Sequence, residues 1–204
     1  MNRRRVVVAT TNPGKLAEIT RLLAPLGLET VAQGALGIPP AAETAPTFVE
    51  NAIAKARAAA QAVELPALAD DSGLEVDALD GAPGVRSARY AGGHGNNAAN
   101  IAKLLAALSE RPGASRRARF RCVAVFLARA EDPAPLIAEG VWEGEIAAAP
   151  RGERGFGYDP VFYLPGRGLT AAELDPAEKD RLSHRAQAFE QLSQLMKRAR
   201  VFEI

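Results

Sequence analysis

The sequence predicts an α/β protein built on a mixed β-sheet flanked by helices. Three observations carry that expectation. Short apolar runs alternate with amphipathic helical stretches near the N-terminus, β-rich runs cluster in the middle, and the last third has helical periodicity. With 204 residues, the chain is long enough to bury a core and is read as one domain over 1–204.

Residues 6–9 (VVVA) form an all-apolar run, as expected of a strand buried on both faces. Residues 10–15 (TTNPGK) follow as a turn punctuated by Pro13 and Gly14. Leu16, Ile19, Leu22, Leu23 and Leu26 then recur at helical spacing, and 28–33 reads as a second strand. After a Gly, Pro and Ala-rich loop at 34–46, Thr47 and Glu50 make a capping box for a helix to about Ala62. Short strands at 67–69 and 74–78 flank an acidic turn, Asp70-Asp71-Ser72-Gly73. A glycine-rich loop (80–95), in which His94 is an ordinary loop residue, leads to a helix over 97–110. Residues 120–127 are apolar and β-prone enough for a central strand, with 136–146 pairing to it as a hairpin. A second glycine-rich loop spans 150–160. Thr170 with Glu173 suggests another capping box, and Ser183 starts a last helix with Ala186, Phe189, Leu192, Leu195, Met196 and Ala199 inward.

Composition excludes several classes. Apolar residues at 48% and charged residues at 24% are globular values, not those of a disordered chain. Net charge is +1, so no global field favours nucleic acid or a membrane surface. Arg116, Arg117, Arg119 and Arg121 are clustered, but two of them would alternate out of a strand as a solvated face. No apolar run approaches the roughly 18–20 residues that span a bilayer. The apolar run behind the basic residues at the start is also shorter than the roughly 7–15 of a signal peptide. A cytoplasmic protein with no membrane or nucleic-acid partner is expected. Cys122 is the single cysteine, which excludes a disulfide framework and a multi-cysteine zinc site.

Five places could carry chemistry. A glycine-containing loop between a buried strand and a helix aims backbone N–H groups at an anion. Thr10, Thr11 and Asn12 add donors there and Lys15 a charge, making TTNPGK either a phosphate cradle or a plain tight turn. It is not a Walker A loop, because Leu16 stands where the metal-binding Ser or Thr would be. Adjacent acids such as Asp70 and Asp71 repel unless a cation or donors hold them, and strand alternation would send them to opposite faces. Hard carboxylate oxygens suit Mg²⁺, and an Asx-type turn is the competing reading. Glu43 is the only acid of the 34–46 loop, and Asn51 and Lys55 share a helix face beyond it. Phe156-Gly157-Tyr158-Asp159 could stack a base and bond its edge, or simply anchor its loop. Lys179 and Ser183-His184-Arg185 set cationic groups before and at a helix N-terminus, where helix stability does not ask for them.

Taken together, TTNPGK (10–15), TFVENA (47–52), ADDSG (69–73), GFGYDP (155–160) and SHR (183–185) resemble, in this order, the inosine/xanthosine triphosphate pyrophosphatase family. The likeness runs from Val6 into the last helix, although the family often has Gly where this chain has Thr11. It implies an elongated mixed sheet, two lobes with a central active-site cleft, and a homodimer. It also implies Mg²⁺-dependent hydrolysis of dITP, ITP or XTP to the monophosphate and pyrophosphate. By position, Thr10, Thr11, Asn12, Pro13, Gly14 and Lys15 would hold the triphosphate, with Lys55 and Ser72 as further substrate contacts. Glu43 and Asp71 would be the metal acids, Asp71 also the proton acceptor, and Asp70 a supporting acid. Phe156, Gly157, Tyr158 and Asp159 would line the base and sugar pocket, closed by Lys179, His184 and Arg185.

Overall fold

A computed structural model describes residues 5–93 and 95–202. His94 and the basic residues ahead of the first strand, Arg3 and Arg4, lie outside them. The strands are β1 (Arg5–Val8), β2 (Glu29–Ala32), β3 (Ala67–Val76), β4 (Arg117–Leu127), β5 (Leu136–Ile146), β6 (Phe162–Leu164) and β7 (Leu169–Thr170). The helices are α1 (Pro13–Leu23), α2 (Phe48–Val63), α3 (Asn97–Ser109), α4 (Pro176–Leu182) and α5 (His184–Arg198). The strands join in the order β2-β1-β3-β4-β5-β6-β7. β1 pairs in parallel with β2 and β3, whereas β6 pairs antiparallel with β5 and β7, so the sheet is mixed, as expected.

The chain divides into two compact units. The first comprises Met1–Asp71, Cys122–Gly140 and Arg185–Ile204; the second comprises Ser72–Arg121 and Val141–His184. Each has its own apolar core. In the first, Val6, Val8, Ile19, Leu23 and Leu68 meet Phe126, Phe189, Leu192 and Met196. In the second, Leu74, Leu104, Phe120, Trp142, Ile146, Phe162 and Leu174 form the centre.

Most elements follow the local patterns. α2 starts at Thr47, whose hydroxyl accepts from the Glu50 N–H and donates to the Glu50 carboxylate, so the N-cap half of the box the sequence predicts is formed. Four differences have physical causes. α1 begins at Pro13 rather than near Leu16, because proline at the first helical position gives up an N–H that the helix leaves unpaired anyway. The acidic segment is no turn: β3 runs unbroken through Asp70-Asp71-Ser72-Gly73, since each acid meets its own cations. Thr170 N–H does donate to Glu173, but no helix follows there. Pro176 biases Asp175 to extended backbone, and the helix starts one residue later, with Asp175 capping the Ala177 N–H. β6 and β7, too short to have a visible period, complete the sheet where the sequence suggests loop or helix.

The arginines of β4 alternate as expected. Arg117 is exposed, Arg119 pairs with Asp77 and Glu75, and Arg121 also reaches Glu75.

β5 and β6 pack tightly at Gly144. A Cβ there would lie 2.7 Å from the Phe162 ring and 2.7 Å from the Tyr163 carbonyl oxygen. Gly144→Ala is expected to cost about 1–3 kcal/mol, read from urea unfolding. An unshifted midpoint would mean that the two strands separate without loss.

Candidate active site

The first unit holds two linked charge clusters. The predicted phosphate turn is the N-terminus of α1: Asn12 caps it, accepting the Lys15 N–H at 3.0 Å, and the Asn12 N–H donates to the Thr10 hydroxyl at 3.2 Å. Pro13 and Gly14 fill its first two positions, and Thr11 is exposed beside it. Helix N-termini favour anions through their dipole and their unpaired N–H groups.

Strand alternation gives Asp70 and Asp71 separate partners. Asp70 Oδ2 meets Lys15 Nζ at 3.0 Å and Arg185 Nη2 at 3.1 Å, and the Cys122 thiol points at it from 3.9 Å. Arg185 Nη1 also donates to Glu18 Oε2 at 2.5 Å. Thus α1, β3 and α5 are tied through one guanidinium that is 1% exposed. Its pKa is raised: burial alone would lower it, but Asp70 and Glu18 outweigh that effect. It is a permanent cation.

Asp71 faces a second set. Lys55 Nζ donates to Asp71 Oδ1 at 3.0 Å and to Glu43 Oε1 at 2.8 Å, so both acids converge on one ammonium. Asn51 Nδ2 donates to the other oxygen, Asp71 Oδ2, at 3.2 Å. Burial raises the Asp71 pKa, and Lys55 and Lys15 only partly oppose it. Burial works to lower that of Lys55, but Asp71, Asp70 and Glu43 together raise it. A carboxylate held above its ordinary range while still touching a cation is suited to take a proton.

The other expected site residues belong to the second unit. Asp159 is buried, its Oδ2 accepting the Phe156 N–H at 2.8 Å and Lys179 Nζ at 2.6 Å. The Lys179 ammonium also lies 4.9 Å from the centre of the half-buried Phe156 ring. Gly155 is required here, with φ +75° and a hypothetical Cβ that would collide with Asp159 Oδ2. The Tyr158 ring packs in the core and its hydroxyl donates to the Ser87 carbonyl at 3.0 Å, while burial raises its pKa. His184 stacks on Phe120 at 4.7 Å between centroids and lies 6.5 Å from Trp142. Ser72 is half-buried on β3, and Gly157 has φ +62°.

Thr10 through Lys15, Glu43, Lys55, Asp71 and Arg185 therefore gather in the first unit; Ser72, Phe156 through Asp159, Lys179 and His184 belong to the second. Sequence reasoning missed Glu18, a buried acid one turn beyond Lys15 and next to the inward-facing Ile19. An acid inside an apolar helix stripe was the available signal, because burial requires a cationic partner. Among the described residues, no group of three or more His, Cys, Asp or Glu could hold a metal ion. Glu43 and Asp71 nonetheless offer two hard oxygens that already share one cation, which suits Mg²⁺ completed by substrate phosphates.

The Ham1 family model matches residues 6–195, and the chain belongs to that family. A dITP/XTP pyrophosphatase of Ralstonia nicotianae is 58% identical over 203 residues, covering 98% of each chain. One from Methylococcus capsulatus is 60% identical over 186 residues, 91% of this chain and 92% of its own. Among solved structures, a HAM1 protein from Coxiella burnetii matches with a TM-score of 0.87 at 52% identity, over 95% of this chain and 98% of its own.

Arg185 neutralises two buried acids, so Arg185→Met should destabilise the protein by about 3–5 kcal/mol. Urea titration of both proteins measures the loss. An equal midpoint would show that Asp70 and Glu18 do not depend on the guanidinium.

Proposed function

We propose that this protein hydrolyses non-standard purine nucleoside triphosphates (dITP, ITP and XTP) to the monophosphate and pyrophosphate, with Mg²⁺, as a homodimer in the cytoplasm. The observation that carries the reading is the convergence of Asp71 and Glu43 on Lys55, beside a capped helix N-terminus bearing Lys15. That combination suits a polyphosphate and a divalent cation. The dITP/XTP pyrophosphatases to which the chain is similar supply the reaction class.

In this reading, residues 10–15 and Lys55 bind and orient the triphosphate and neutralise charge growing on the departing pyrophosphate. Glu43 and Asp71 would hold the metal, which supplies Lewis-acid polarisation of the phosphate oxygens when bound. Asp71 accepts a proton from the attacking water as the bond to pyrophosphate breaks, a step typically worth about 10²–10⁴-fold. Asp70 lies between Lys15 and Arg185 and fixes the lysine that faces the phosphates.

Base recognition falls to Ser72, Phe156, Gly157, Tyr158, Asp159, Lys179, His184 and Arg185. The Phe156 ring offers a stacking face, and Asp159 sets the loop that carries it. Hypoxanthine and xanthine present a 6-oxo acceptor where adenine has a donor amine. His184, or a nearby backbone N–H, pairs with the oxygen and is left unmatched by the amine, and unmatched buried donors discriminate strongly. Arg185 contributes by holding α5, which begins at His184.

Pyrophosphate release from dITP, XTP, dGTP and dATP, with Mg²⁺ and with chelator, tests the reading. Metal-dependent release from dITP and XTP far above the other two is expected. Nucleotide binding with no release from any of them would replace the hydrolase by a nucleotide sensor.

Asp71 gives a second expectation. A base must be unprotonated, and this carboxyl sits above the ordinary value of about 3.9. The acid limb of kcat/KM should therefore fall at higher pH than for a free aspartate. Lys55→Met, which removes a cation that favours the ionised form, should move the limb further to alkaline pH. Asp71→Asn should abolish turnover. A limb that stays in place or moves to acid in the Lys55 variant, or near-normal kcat in the Asp71 variant, would remove Asp71 from the general-base role.

A further inference from the structure

We infer that Asn51 is a positioning residue that sets Glu43 and Asp71 as a pair, an inference that rests on those two acids holding the metal. Its side chain is polar yet only 1% exposed. Oδ1 accepts the Ala45 N–H at 3.0 Å, and Nδ2 donates to the Ala45 carbonyl at 3.3 Å and to Asp71 Oδ2 at 3.2 Å. One amide thus grips both polar groups of a single loop residue and one oxygen of the acid on β3.

The loop needs such a grip. Residues 38–44, which carry Glu43, form neither helix nor strand, so no ladder fixes their backbone. Ala45 is two residues beyond Glu43, and bracketing its N–H and C=O does locally what a neighbouring strand would do. Asn51 itself is rigid: it stands in the first turns of α2, and its backbone N–H donates to the Thr47 carbonyl at 3.2 Å. On the other side, engaging Oδ2 fixes the rotation of the Asp71 carboxylate and turns Oδ1 toward Lys55 and Glu43. Aspartate in place of Asn51 would set a carboxylate against Asp71 and the Ala45 carbonyl; alanine would release both.

A matched control exists in the second unit. Asn100 on α3 is also buried and brackets a loop, accepting the Ala91 N–H at 2.7 Å and donating to the Ala88 carbonyl at 3.3 Å. Its loss should cost stability without disturbing the carboxylate pair.

The experiment measures the Mg²⁺ concentration for half-maximal pyrophosphate release, and Mn²⁺ binding without nucleotide by electron paramagnetic resonance. Wild type, Glu43→Gln, Asn51→Ala, Asn51→Ser and Asn100→Ala are compared, with melting temperatures for each. Loss of an outer partner of a metal ligand weakens affinity by about 10- to 100-fold, so both Asn51 variants should raise both midpoints to that extent. Asn100→Ala should lower the melting temperature and leave the metal midpoints in place. If Asn51→Ala does not fold, the smaller change to serine, whose hydroxyl can keep one bond, carries the comparison. Metal midpoints that stay put in the Asn51 variants while Glu43→Gln weakens them would overturn the positioning role and leave the metal assignment standing. Midpoints that stay put in Glu43→Gln would overturn the metal assignment itself, and the inference with it.

Discussion

The carboxyl group of Asp70 is almost wholly removed from water, and the need for cations around it is the constraint on which the rest of the first unit depends. Burying a lone charge in an apolar interior is prohibitively costly, so cations must accompany it. Lys15 comes from α1 and Arg185 from α5, and Glu18 balances the second positive charge. Satisfying Asp70 therefore sets where two helices meet the strand. The neighbouring Asp71, carried on the same strand and turned to the other face, inherits its location from that arrangement. Its own partners, Lys55 and Asn51, come from α2.

The two acids illustrate how one strand assigns different tasks by alternation. Asp70 is locked by full-charge partners, Lys15 and Arg185. Asp71 is left with a raised pKa, poised for proton transfer. Sequence adjacency gives them a shared backbone; opposite facing gives them separate electrostatic surroundings.

Much of this was legible in the sequence where the cause is local. The Thr47 and Glu50 box, the α5 stripe through Phe189, Leu192 and Met196, and the all-apolar β1 depend on residues a few positions apart. The alternation of Asp70 and Asp71 was also readable from the strand period. What stayed hidden depends on distant partners. Arg185 and Glu18 are 167 positions apart, so nothing near SHR says that its arginine serves a helix at the other end of the chain. The unbroken course of β3 through two acids was illegible for the same reason, because the cations that permit it arrive from elsewhere. β6 and β7 span three and two residues, too few to express any period. Tyr158 likewise gives no local sign that its hydroxyl donates to the Ser87 carbonyl, 71 positions away.

The division of the chain has a consequence for how the protein is made. The first unit draws on both ends of the sequence: β1 opens it, and α5 supplies Phe189, Leu192 and Met196 to its core. The second unit is interleaved between, complete by His184. On the ribosome, the second unit has all its segments before the first can close. Until the segment from Arg185 onward emerges, Val6, Val8 and Leu68 lack the helix that covers them, and Asp70 lacks its guanidinium. α5 acts as a keystone, and a nascent or truncated product that stops short of Arg185 would expose apolar surface to chaperones and proteases.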